Sequence, residues 1–156
     1  MPGFFARTQR IVWTGLGIAA SVIVPRPLRS AETCALAVQV DGFRNDKGLI
    51  GGVVFKTPAG WPEDHDRAFT RTAVPVAGNY DIVLTFPDVP PGRYGIAVLH
   101  DENANRRLDR NIFRVPKEGF GFANNPHVGL TAPSWQESSV DITCPATNIK
   151  IHLIYK

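Results

Sequence analysis

The chain has 156 residues, a formal net charge of +3, 14 glycines and 13 prolines. Arg7, Arg10, Arg26 and Arg29 stand without any acidic residue in residues 1–31, so the rest of the chain is one charge short of neutral. With the remainder nearly neutral, nucleic-acid binding is expected to have no electrostatic footprint in this chain.

Residues 1–31 read as a secretory signal peptide, with Arg7 and Arg10 ahead of an apolar run at 11–24. The run is shorter than the roughly 20 residues of a membrane-spanning helix. Cleavage is expected after Ala31, although Arg29 breaks the small-x-small rule; an uncleaved anchor is the alternative. Ala31-Glu32-Thr33 before Cys34 lacks a small residue next to the cysteine, against a lipoprotein. The expectation is a periplasmic or secreted protein, free of the membrane after cleavage, with a single domain at 32–156.

The only cysteines, Cys34 and Cys144, stand at the start of the first strand-like segment and just before the last. An oxidising compartment permits a disulfide between them; two unpaired buried thiols are the alternative. Closing a loop of that length contributes about 4–5 kcal/mol on the chain-entropy account.

Strand patterns follow at 35–40, 49–56, 72–76, 80–86, 94–99, 138–143 and 149–155, and none of the intervals has room for a long amphipathic helix. Leu36, Val38 and Val40 share one face, as do Tyr80, Ile82, Leu84 and Phe86, then Tyr94, Ile96 and Val98, and finally Ile149, Ile151, Leu153 and Tyr155. These patterns predict an all-β fold, an antiparallel β-sandwich of about seven strands with Ig-like or transthyretin-like topology. Pro90-Pro91-Gly92-Arg93-Tyr94 has the form of a tyrosine corner, in which the phenol bonds back to upstream backbone; an ordinary turn before an edge aromatic is the alternative.

The densest chemistry lies at residues 100–126. Asp101, Asn103, Asn105 and Asp109 occupy relative positions one, three, five and nine of a Ca²⁺ loop, with the Arg107 carbonyl at seven. Against a metal, Arg106 stands where the turn wants Gly, and Ile112 stands where a bidentate Glu belongs. Glu118 is the nearest replacement carboxylate. The alternative is a metal-free loop in which Asx side chains cap turns and pair with arginines.

The succession from Pro90 through His100-Asp101-Glu102-Asn103-Ala104-Asn105 to Lys117-Glu118-Gly119-Phe120-Gly121-Phe122-Ala123-Asn124-Asn125 resembles the DUF2141 family of exported bacterial proteins. The resemblance covers most of residues 34–156. It implies a signal peptide and a β-sandwich, and it implies no activity, since the family has none established. The chain departs from the family pattern at Arg106 and Arg114, where Gly is usual, and at Ala123, where Ser is usual. The fold also invites comparison with transthyretin-like hydrolases, whose C-terminal Tyr-Arg-Gly-Ser signature is absent here.

Other candidates are an acid–base pair of His100 with Asp101 or Glu118, a serine nucleophile at Ser134, Ser138 or Ser139 without an elbow context, and a lone His65. Phe113, Phe120 and Phe122 with Asn124, Asn125 and Trp135 form a candidate surface for a protein, peptide or carbohydrate ligand. The alternative is that these aromatics fold inward and cover the sandwich. The leading expectation is a non-catalytic exported binding or structural module whose loop 100–125 is structured, with Ca²⁺ as its only candidate cofactor. The rival is a small periplasmic hydrolase using His100.

Overall fold

Alternating apolar side chains organise the computed structural model into two stacked sheets. It describes residues 32–156; the expected leader and its cleavage site lie outside the described residues. The strands are β1 (Cys34–Asp41), β2 (Leu49–Phe55), β3 (Thr70–Pro75), β4 (Ile82–Val89), β5 (Gly92–Asp101), β6 (Gly119–Phe122), β7 (Ser139–Ile142) and β8 (Ala146–His152). One sheet runs β4-β1-β8; the other runs β3-β2-β5-β6, with β7 also on β5. The fold is an all-β sandwich. Among the described residues no helix is long and apolar enough to cross a membrane.

The predicted faces pack against each other. Leu36, Val38, Val40, Leu84, Ile96 and Ile151 are fully buried between the sheets. Tyr80 instead lies outside β4 and is 52% exposed. All pairings are antiparallel except β1 with β8, which is parallel, Ala35 facing Ala146 through Asp41 facing His152. The parallel pair places Cys34 beside the start of β8, and Cys34 and Cys144 form a disulfide with Cα atoms 4.7 Å apart.

The Tyr94 hydroxyl donates to the Pro90 carbonyl at 3.0 Å and its ring is buried, so the tyrosine corner is present. The strand absent from the sequence reading is β6, half of which is glycine. A Cβ on Gly121 would stand 2.5 Å from Ile151, and one on Gly119 2.5 Å from Tyr155. The two glycines therefore let β6 lie close against the last strand, where Phe120 and Ile154 exchange backbone hydrogen bonds.

Because Gly119 and Gly121 face inward, Phe120 and Phe122 face outward, opposite Leu99 and Ala97 of β5. They form a second apolar cluster with Val128, Trp61, Val53 and Ile154 on the outer face of the larger sheet. That face, together with the loop that leaves β5, positions the candidate site.

Candidate functional site

His100 and Asp101 end β5 and point to opposite faces, as successive strand residues must. His100 turns inward and is fully buried. Its Nε2 lies 2.8 Å from the Lys47 carbonyl, and its Nδ1 lies 2.7 Å from the Tyr155 hydroxyl. A carbonyl only accepts, so Nε2 donates to it, and in that tautomer Nδ1 accepts from Tyr155. Burial pushes the Tyr155 phenol above its ordinary range, which keeps it protonated as that donor. The Tyr155 oxygen in turn accepts from the Arg44 backbone N–H at 3.3 Å, and the Arg44 guanidinium lies 4.6 Å above the ring. Phe43 packs edge-on against the imidazole.

Both ring nitrogens of His100 are thus engaged, and neither reaches solvent. The placement corrects the acid–base pairing of His100 with Asp101 or Glu118: a general base needs a free nitrogen within reach of substrate, and these partners sit on the other side of the sheet from the imidazole.

Asp101 turns outward, yet it too is nearly buried. Its Oδ1 accepts from Asn105 N at 3.1 Å, and its Oδ2 accepts from Arg106 N at 2.5 Å. The Asn103 and Asn105 side-chain carbonyls accept from Asn105 N and Arg107 N, at 3.0 and 2.8 Å. Their amide NH₂ groups point at Asp109, at 2.7 Å from Asn103 and 3.1 Å from Asn105. Glu118 bridges the two ends of the loop, accepting from Glu102 N at 3.1 Å and from Asp109 N at 2.9 Å. Burial, and then the nearby Asp101 and Asp109 carboxylates, push the Glu118 pKa above the ordinary carboxylate range.

The four Asx side chains do converge, as their spacing predicts. Asn103 and Asn105 meet at Asp109 through their NH₂ groups, while Asp101 accepts from backbone N–H groups, so the geometry is that of nested Asx turns. Among the described residues no three His, Cys, Asp or Glu side chains gather as a metal set. Asp101 and Glu118 each accept two backbone N–H groups, and amide NH₂ groups hold Asp109.

The candidate ligand surface is divided between buried and exposed residues. Phe120 and Phe122 are 7% and 6% exposed. Asn124 donates to the Glu137 and Ser139 carbonyls, at 3.1 and 2.9 Å. Asn125 donates to the Lys150 carbonyl at 3.1 Å and accepts from His152 N at 2.8 Å. These asparagines are cross-links between the segment after β6 and its neighbours. Trp135 donates to the Phe55 carbonyl. Phe113 is presented to solvent, at 77% exposure, and Asn124 and Asn125 are exposed as well. The serine candidates are also tied into structure: Ser134 and Glu137 cap each other, Ser139 bonds Trp135, and Ser138 is buried without a partner.

A different feature emerges on the outer face of the larger sheet, a groove of about 1840 Å³. Its floor is Leu49, Gly51 and Val53 of β2 with Ala97 and Leu99 of β5. One wall comes from the loop after β5, with Arg106, Arg107, Arg110, Phe113 and Arg114; a second comes from Gly129 and Leu130. Leu130 is fully exposed, so two bulky apolar tips flank the groove.

The loop after β2 leaves from the Phe55 end of the ladder and the loop after β5 from the Asp101 end. They nonetheless meet over the sheet, where Arg110 makes a two-point ion pair with Glu63, one contact being 3.2 Å. Sequence reasoning missed this groove, although the unbroken apolar run of β5 signals a strand covered on both faces.

The family model described as an uncharacterized protein conserved in bacteria matches residues 38–150. The chain belongs to the DUF2141 family. No curated protein and no solved structure matches it.

Within this DUF2141 chain, the departures at Arg106 and Arg114 fall on backbone that keeps the glycine-like conformation, with φ of 64° and 63°. The left-handed turn survives with a side chain on it. Both side chains line the groove.

Proposed function

We propose that the chain is a non-catalytic binding module of the bacterial cell exterior, periplasmic or secreted, whose ligand site is the groove on the outer face of the larger sheet. The basic, apolar leader pattern and the Cys34–Cys144 disulfide support export, since an oxidising compartment sustains such a bond. The observation that carries the binding role is the apolar floor between two walls, on which Leu49, Val53 and Leu99 are part-exposed, with Phe113 and Leu130 exposed at its rim. Small-ligand pockets run to about 1,000 Å³, so the larger groove suits an elongated ligand. The hydrolase reading lacks support in the geometry, because His100, Asp101 and Glu118 are each occupied by structural hydrogen bonds.

A Cβ on Gly51 would find its nearest neighbour at 3.8 Å, so this position at the centre of the floor accepts a side chain without strain. The test is binding of a neutral apolar dye, N-phenyl-1-naphthylamine, to the oxidised protein and to Gly51→Trp. Fluorescence enhancement in the first, lost in the second at unchanged melting temperature, is expected. Absence of enhancement in the unmodified protein sinks the reading. A parallel melt with Ca²⁺ and with chelator is expected to give superimposable curves; a Ca²⁺-dependent rise that vanishes in Asp101→Ala would make the loop a metal site instead.

A further inference from the structure

The charge of the groove is one-sided. Its acidic residues are occupied: Glu63 by Arg110, Asp64 by Arg67, Asp66 by Arg71, and Asp101 by backbone N–H groups. Among the described residues, Arg106, Arg107 and Arg114 make no ion pair, and all three line the loop wall. Two of them stand in the left-handed region, where a Cβ costs about 1–2 kcal/mol. Strain retained beside a cavity is a pointer to use.

The floor narrows the chemistry further. β2 is paired on both sides by β3 and β5, and β5 by β2 and β6, so the floor offers side chains and no free backbone partners. A peptide laid on it would leave its own amides desolvated and unpaired, and a sugar its hydroxyls. A hydrocarbon chain has no polar group to satisfy. The guanidiniums at the wall supply what a carboxylate or phosphate head requires.

We infer that the groove takes a free single-chain amphiphile, its hydrocarbon lying along Leu49, Val53 and Leu99 and its anionic head facing Arg106, Arg107 and Arg114. This inference rests on the groove being the ligand site and adds the class of ligand.

The experiment is displacement of N-phenyl-1-naphthylamine from the oxidised protein by dodecanoate, dodecyl phosphate and neutral dodecanol, all below micelle formation. Three partly exposed charge contacts predict that both anions bind about tenfold tighter than the alcohol, a preference that added salt reduces. Arg106→Gly with Arg114→Gly, which suits the backbone at both turns, is expected to erase most of the preference and leave dodecanol unchanged; Arg106→Gln with Arg114→Gln does the same without relieving the turns. Equal binding of anions and alcohol, with the dye still bound, overturns this inference and leaves the groove reading intact. No dye binding overturns both. Anion binding that survives Gly51→Trp, or co-sedimentation with anionic phospholipid vesicles in the absence of monomer binding, also overturns the inference.

Discussion

β5 carries two contrasting regions, one on each of its faces. Inward, His100 sits in a closed chain of hydrogen bonds with Lys47, Tyr155 and Arg44, and no ring nitrogen is left over. Outward, beyond the Asx turns, lie a part-exposed apolar floor and three arginines that make no ion pair among the described residues. Both regions are rich in residue types that draw attention in a sequence. Saturation separates them: groups whose bonding capacity is filled within the chain hold the fold, and groups left open are available to something else.

The comparison can be broken most forcefully at His100. Replacing it with Leu strands the Lys47 carbonyl and the Tyr155 hydroxyl, and should lower unfolding free energy by about 4 kcal/mol in denaturant titration. A cost under about 1 kcal/mol would mean that saturation is not what this residue provides. Asp101→Ala removes two buried bonds to a carboxylate and should cost about 3 kcal/mol, equally with Ca²⁺ and with chelator.

On the open side the sign should reverse. Arg106→Gly relieves a left-handed Cβ and should stabilise the protein by about 0.5–1 kcal/mol after the entropy of glycine is subtracted. A loss of stability would place Arg106 among the structural groups. The mildest effect is a pH slope. Glu118, raised by burial, is penalised when ionised, and that penalty is present above its folded pKa. Melting temperature should therefore rise as pH falls through that raised pKa toward the ordinary carboxylate range. Asp41, held below the ordinary range first by Lys150 and then by His152, acts oppositely. Its contribution is present above the unfolded pKa and disappears as pH falls through the lower folded one, so Asp41→Asn should flatten the final acid loss.

What the sequence disclosed was local or periodic. Alternation located Leu36, Val38 and Val40, the Pro-Gly turn announced Tyr94, and the Asx spacing brought Asn103 and Asn105 onto Asp109 within six residues. What it concealed depends on partners chosen by topology. Arg110 meets Glu63 across 47 residues, and Asn125 meets Lys150 across 25. Phe120 and Phe122 looked like a displayed pair until the crowding at Gly119 and Gly121 fixed which way β6 faces. The groove was hidden for the same reason, since its walls come from separate loops that only the folded sheet brings together.

The disulfide has a consequence for resistance to proteolysis. The exposed, arginine-rich wall is an obvious place for a trypsin-like protease to cut, for instance between Arg106 and Arg107. Such a cut would leave β1 to β5 on one fragment and β6 to β8 on the other, with β8 still laid along β1 and Cys34 still joined to Cys144. The nicked molecule would run as one particle until reduced, so damage at its most accessible loop need not release either half.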